Sequence, residues 1–238
     1  YADGPRPARP TPPPTPAAAI RLAVMKLQAR ALLFDNDGTL MSSLRSVRRC
    51  WTRWAVEYGV TEADFARIEL HGRPSAEIVA DLLPPEKVAE AARRIEDLEV
   101  ADAEGTEALP GTVALLAGLP AERWAVVTSA TRRLARARLS GLGLHPRTLV
   151  AADDITRGKP DPEPYLLGAA KLGFAPGDCV VFEDAPVGLR SAQAAGMRTV
   201  ALTTTYPRAE LTADALVPDL SAVSVQVSGD FLEIVTED

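Results

Sequence analysis

The chain has no apolar stretch approaching the ~20 residues that a membrane-spanning helix needs, so a helical membrane protein is excluded. It also lacks a surplus of positive charge. Lys and Arg number 26 against 32 Asp and Glu, a net charge of −6 at pH 7. That balance argues against general binding to nucleic acid or to anionic membranes. It does not forbid an anionic substrate, because a local group of cations and metal sets the potential at a site. Cysteine is scarce. Cys50 and Cys179 fall in different segments, without the spacing of a metal site. They are expected as buried thiols of a protein in the reducing cytoplasm, not as a disulfide.

What is there fits a globular enzyme. The chain has 238 residues, 47% of them hydrophobic and 24% charged, enough for one large domain or a core with a smaller partner. Seven of the first sixteen residues are proline. Residues 1–24 are therefore expected to be a disordered, polyproline-like extension, without the basic start and apolar centre of a secretory signal. Met25 stands just before the first convincing folded segment.

Gln28–Phe34 reads as a buried strand. Beyond it, Leu44, Val47, Trp51, Trp54 and Tyr58 recur at helical spacing, and Gly59 ends the run. Further helices are expected over Glu62–Leu70, Ser75–Leu83 and Glu86–Asp102. Residues 43–108 thus read as an all-helical insertion, a cap. Trp51, Trp54 and Tyr58 are expected to pack inside it. Residues 25–42 and 109–238 read as the catalytic core. There apolar strands at 123–128, 148–152, 179–183 and 199–204 alternate with helices, the pattern of a parallel α/β sheet covered on both faces, Rossmann-like. Val223–Val227 and Phe231–Val235 flank a Ser-Gly-Asp turn and read as a terminal hairpin. In such sheets the active groups stand at the carboxyl ends of strands. Asp35, Thr128 and Asp184 all fall there.

The chemistry of these positions is that of phosphoryl transfer. Asp35 and Asp37 stand two residues apart in Phe34-Asp35-Asn36-Asp37-Gly38-Thr39-Leu40. Asp35 is the candidate nucleophile. Asp37 is the candidate acid for the leaving oxygen and then base for water. A phosphate ester repels a carboxylate, so cations must surround it. Lys159, in Gly158-Lys159-Pro160-Asp161-Pro162, supplies one. Asp35, Asp37, Glu183 and Asp184 supply the oxygens for a hard cation, expected to be Mg²⁺. Thr128 offers a hydroxyl, and Ser129 and the amides after it a nest for phosphate oxygens.

These four segments, in this order, resemble the haloacid dehalogenase-like superfamily. His71-Gly72, Arg123–Ser129, Gly158–Pro162 and Val181–Gly188 are similar to its 2-deoxyglucose-6-phosphate and glycerol-phosphate phosphatase branch. The resemblance runs from about Gln28 to Val227. It implies a Mg²⁺-dependent phosphatase of a small sugar or polyol phosphate acting through an aspartyl-phosphate. It also implies that Gly72 and Arg73, in a cap loop, reach the substrate. His71 is assigned to orienting that loop or to no role, and Arg132 and Arg133 to a solvated basic helix. Met41-Ser42-Ser43 departs from the Val-Asp-Ser common in relatives, which counts against a phosphoglycolate phosphatase.

A phosphosugar mutase with the same core and a silent phosphate-binding protein are the alternatives. Dehalogenation is disfavoured because a departing halide needs no general acid such as Asp37. Phosphonate hydrolysis is disfavoured because no cap lysine stands ready for a Schiff base. A small phosphorylated metabolite is the expected partner, with no nucleic acid and no membrane, and a monomer is the simplest assembly.

Overall fold

The computed structural model describes residues 24–68 and 73–237. Most of the proline-rich segment, and His71 and Gly72, lie outside the described residues. No described helix is long and apolar enough to cross a membrane.

The described residues begin with β1 (Val24–Ala29) and β2 (Ala31–Phe34), then β3 (Met41–Ser42). Four helices follow: α1 (Leu44–Tyr58), α2 (Glu62–Phe65), α3 (Ser75–Leu82) and α4 (Pro85–Ala101). Next come β4 (Glu107–Ala108), α5 (Thr112–Ala117), β5 (Trp124–Val127), α6 (Arg132–Gly141) and β6 (Leu149–Val150). The chain continues through α7 (Glu163–Leu172), β7 (Cys179–Glu183), α8 (Pro186–Ala194), β8 (Arg198–Leu202) and β9 (Ala215–Val217). It closes with β10 (Val223–Ser228) and β11 (Phe231–Glu237).

Six strands form one sheet in the order β6-β5-β2-β7-β8-β9, and every neighbouring pair is parallel. The four residues of β2 are completely buried, as expected where both faces are covered. On one face Phe34 stacks on Phe182, ring centroids 4.8 Å apart, beside Trp124 and Leu139. On the other, Leu33, Val127, Val181 and Tyr165 pack together. Helix α7 lies very close to the sheet there. A methyl group on Gly168 would come within 2.6 Å of Leu33 Cδ2, so only glycine permits the approach.

The four helices have a core of their own around Cys50, Trp54, Val79, Ala91, Ile95 and Leu98. Trp54 is fully buried, and its Nε1 donates to the Ala91 carbonyl at 2.9 Å. Truncating such a Trp to Ala typically costs ~3–5 kcal/mol. Gly59, at φ 70°, ends α1 in the left-handed conformation that glycine adopts freely. The two cysteines are free and buried in different clusters.

Four expectations are revised. The strand over Gln28–Phe34 is two strands in different sheets. At the break the Arg30 amide donates to the Asp178 carbonyl at 2.7 Å, and β1 turns to pair antiparallel with β11 beside the expected hairpin. Of the described residues in the helix expected over Glu62–Leu70, Glu62–Phe65 are helical, started by a reciprocal Thr61–Asp64 cap, and residues 66–68 are not. Residues 43–108, expected to be all-helical, end in a short strand, β4, which pairs with β3 in a two-residue ladder. A sixth parallel strand, β9, joins the sheet edge. Two- and three-residue strands leave no periodicity to read.

Candidate active site

β2, β5 and β7 are adjacent and parallel, so their carboxyl ends open at one edge. Asp35 follows β2, Thr128 follows β5, Glu183 ends β7 and Asp184 follows it. The Asp35 amide donates to the Phe182 carbonyl at 3.0 Å, and the Thr128 amide to Val150 at 2.9 Å. These continuations of the ladder fix both backbones. Lys159 comes from the loop before α7. The cleft over this edge is lined from the core by Asp35, Asp37, Thr128, Ser129 and Lys159, and from the other side by Trp51 on α1, Glu99 on α4 and Arg73 in the loop before α3.

Lys159 is the hub. Its ammonium donates to Asp35 Oδ1 at 2.6 Å, to Glu183 Oε1 at 2.8 Å and to the Val127 carbonyl at 3.3 Å. It lies 5.0 Å from the centre of the Tyr165 ring, whose hydroxyl donates to Glu183 Oε1 at 3.2 Å. Burial works against its charge, but Asp35 and Glu183 outweigh it and hold its pKa well above the ordinary lysine value.

Asp35, Glu183 and Asp184 are buried, and one oxygen of each lies within 4.8 Å of the others. Burial pushes the Asp35 carboxyl well up; Lys159 opposes this, and Glu183 and Asp184 add to it. Asp184 is pushed up to about 7 by burial and then by Glu183. Three carboxylates against one ammonium leave a deficit of two positive charges. A hard divalent cation fits that donor set by charge and by chemistry. The oxygens differ in availability. Glu183 Oε2 accepts the amides of Asp184 and Ala185, both at 2.8 Å, and Oε1 accepts Lys159 and Tyr165. Glu183 therefore braces the site. Asp184 Oδ1 accepts a long 3.3 Å bond from the Thr39 hydroxyl, and Thr205 also hydrogen-bonds this carboxylate.

Asp37 was also expected among the cation ligands. Its carboxylate lies outside the group of three. Oδ1 accepts from Arg138 Nη1 at 2.9 Å, and Oδ2 from Asn36 Nδ2 at 3.1 Å. The turn that follows it needs Gly38, at φ 95°. A Cβ there would lie 2.0 Å from Asp184 Oδ2.

The other expected residues fall as follows. Thr128 is 3% exposed, and its hydroxyl accepts from the Ala130 amide at 3.1 Å, leaving its own proton for a ligand. Ser129 lines the cleft. Arg73 also lines it, with Nη1 on Asp81 at 2.9 Å and Nε 3.5 Å from Glu77. Gly72 lies outside the described residues. Trp51 meets Trp54 and Phe65 edge-on, at 5.2 and 5.9 Å, as expected of cap packing, but also faces the cleft. Arg132 pairs with Asp154, and Arg133 with Asp97 at 2.6 Å, so neither is simply solvated.

Tyr165, Glu99 and Arg138 were missed. Tyr165 has an apolar body that reads as core. Glu99 sits in the apolar stripe of α4, and a charge in such a stripe was the available signal. Arg138 is one of four arginines in α6, and nothing in its spacing sets it apart.

Residues 29–196 match the haloacid dehalogenase-like hydrolase family. Over 185 residues the chain is 40% identical to hexitol phosphatase A of Escherichia coli, covering 74% of this chain and 84% of that protein. It is 33% identical over 194 residues to glycerol-1-phosphate phosphohydrolase 2 of Saccharomyces cerevisiae, covering 76% and 78% respectively. A hydrolase from Pseudomonas syringae has the same fold, with a TM-score of 0.72 and 25% identity over 80% of this chain and 94% of that one. With the site geometry and these likenesses together, the chain belongs to the haloacid dehalogenase-like hydrolase family.

Proposed function

We propose that this hydrolase removes the phosphoryl group from a small sugar or polyol phosphate, through an aspartyl-phosphate on Asp35 and with Mg²⁺ as cofactor. The chain is a phosphoric monoester hydrolase. The substrate class is supported by the relatives, which act on hexitol and glycerol phosphates by name. The observation that carries the mechanism is the Lys159 ammonium, 2.6 Å from Asp35 Oδ1 and 2.8 Å from Glu183 Oε1. It anchors one Asp35 oxygen and leaves the other to attack.

Asp35 would be held by Lys159 facing the phosphorus. Bond formation from its free oxygen breaks the bond to the alcohol oxygen, and Asp37 gives that oxygen a proton. Asp37 then takes a proton from water, which attacks phosphorus, frees phosphate and restores Asp35. The Thr128 hydroxyl, the amides after it and Lys159 would bind the phosphoryl oxygens. Asp35 and Asp184, with Glu183 behind them, would hold Mg²⁺, which supplies positive charge against the phosphoryl oxygens and keeps both carboxylates ionised. Residues 43–108 serve as a cap that shuts out water and places Arg73 beside the leaving group.

The test is a panel of phosphorylated hexitols, hexoses, glycerol and phosphoglycolate, assayed for phosphate release with and without Mg²⁺. The reading requires turnover of a sugar or polyol phosphate that is lost in chelator. Turnover unaffected by chelator, or confined to phosphoglycolate, would overturn it.

A further inference from the structure

Behind Asp37 lies a chain of charges that the proposed mechanism does not use. Arg138 on α6 is 3% exposed, and Glu99 on α4 is 2% exposed. Arg138 Nη1 donates to Asp37 Oδ1 at 2.9 Å, and its Nη2 donates to Glu99 Oε1 at 3.1 Å. One guanidinium thus joins the helical block to the candidate acid–base residue.

Stability alone does not account for it. Taking the Arg138 guanidinium and the Glu99 carboxyl out of water carries a desolvation penalty, and apolar side chains of similar volume usually do as well or better. Arg138 Nε and Glu99 Oε2 are buried with no protein partner, a further cost that a purely structural pair would avoid. Nor is the pair needed to dock the helices. Towards solvent, Arg133 meets Asp97 at 2.6 Å and Thr131 meets Glu96 at 2.5 Å across the same α4–α6 contact.

What the buried pair adds is a direction for Asp37. A guanidinium arm is planar, and Glu99 restrains its other nitrogen, so Nη1 points one way. The charged bond takes Oδ1 of Asp37. Oδ2 keeps only a neutral 3.1 Å bond from Asn36 and is the oxygen left to exchange a proton. We infer that Arg138 is a positioning residue for Asp37, and that Glu99 aligns it, so that the acid–base carboxylate is set only when α4 is seated on α6.

This rests on the phosphatase reading, and the test separates the two. The probes are p-nitrophenyl phosphate, whose leaving group departs as an anion, and benzyl phosphate, whose alkoxide needs a proton. Both leaving groups are small and aromatic, so contacts with the helical block are matched. Arg138→Met should lower kcat on benzyl phosphate by on the order of 10²-fold, the lower end of general-acid effects. On p-nitrophenyl phosphate it should cost only a few-fold, with KM nearly unchanged for both. Arg138→Lys should recover part of the loss. Glu99→Gln, equal in shape, should shift the ratio the same way by less. Adding Arg138→Met to Asp37→Asn should produce little further loss, because the two act through one carboxylate. Arg133→Ala, which loosens the same helix contact at its surface, should leave the ratio unchanged.

If Arg138→Met does not fold, Arg138→Lys and Glu99→Gln decide. Equal losses on both probes, or an unchanged ratio in the folded variants, would reduce Arg138 to a structural ion pair and overturn the inference. Wild-type protein inactive on both probes would instead sink the phosphatase reading.

Discussion

Glu99 should make the stability of this protein fall as pH rises, by an amount the structure sets. Its carboxyl is pushed from the ordinary 4.5 up to about 7, first by burial and then by Asp37 and Glu96, with Arg138 opposing. The folded state therefore favours the neutral form. Between pH 4.5 and 7 the folded protein binds more protons at this site than the unfolded chain. Stability is fully present below the unfolded value and is lost as pH climbs through the folded one. The difference between the two values is worth about 3 kcal/mol in all, most of which falls between pH 5 and pH 8. Glu99→Gln fixes the neutral form and should remove this contribution. Urea unfolding of both proteins at the two pH values measures it. The other raised carboxyls, Asp35 and Asp184, are common to both proteins and cancel in the comparison. The wild-type protein should lose about 2–3 kcal/mol more than the variant on going to the higher pH. Parallel pH dependences would mean that Glu99 stays ionised beside Arg138 throughout, and the reasoning from burial would fail.

Lys159→Met should abolish turnover on every substrate and cost ~3–5 kcal/mol of stability, the usual result of leaving buried charges unpaired; chemical denaturation and phosphate release check the two effects. Mg²⁺ should restore part of that stability, since it supplies the missing positive charge, and no recovery would count against a cation site there. Gly38→Ala should lower both stability and activity, because its methyl group would sit 2.0 Å from Asp184 Oδ2 on a backbone at φ 95°; a variant with normal melting and turnover would refute that geometry. Asp37→Asn should slow alkyl phosphates far more than aryl ones, by ~10²–10⁴-fold, and steady-state kinetics on one of each shows whether the losses differ.

The sheet was legible because its strands are short continuous apolar runs, such as Ala31–Phe34 and Trp124–Val127, each ending on a polar residue. That pattern alone put Asp35, Thr128 and Asp184 at one edge. The break at Arg30 was not legible. Leu27 and Ala29 are as apolar as the residues of β2, and the pairing of β1 depends on β11, some two hundred residues away in the chain. In the site, short-range groupings were readable and long-range pairings were not. Asp35 and Asp37 announce themselves by spacing. Arg138 acquires its meaning from Asp37, 101 residues before it, and from Glu99, 39 before it. An arginine on an amphipathic helix looks like a surface charge until both partners are in place. The division of labour among the carboxylates was hidden for the same reason. Glu183 spends its oxygens on Lys159, Tyr165 and two amides, and only the folded chain brings those donors together.

The central claim is that Asp35 becomes phosphorylated, and its replacement by asparagine tests it most directly. Asp35→Asn keeps the shape and can still meet Lys159, but a neutral amide cannot attack phosphorus. With p-nitrophenyl phosphate and excess Mg²⁺, the account predicts a variant that folds like the wild type and has lost essentially all turnover. A protein freshly purified, free of deamidation and still turning over at a substantial fraction of the wild-type rate would show that the nucleophile lies elsewhere.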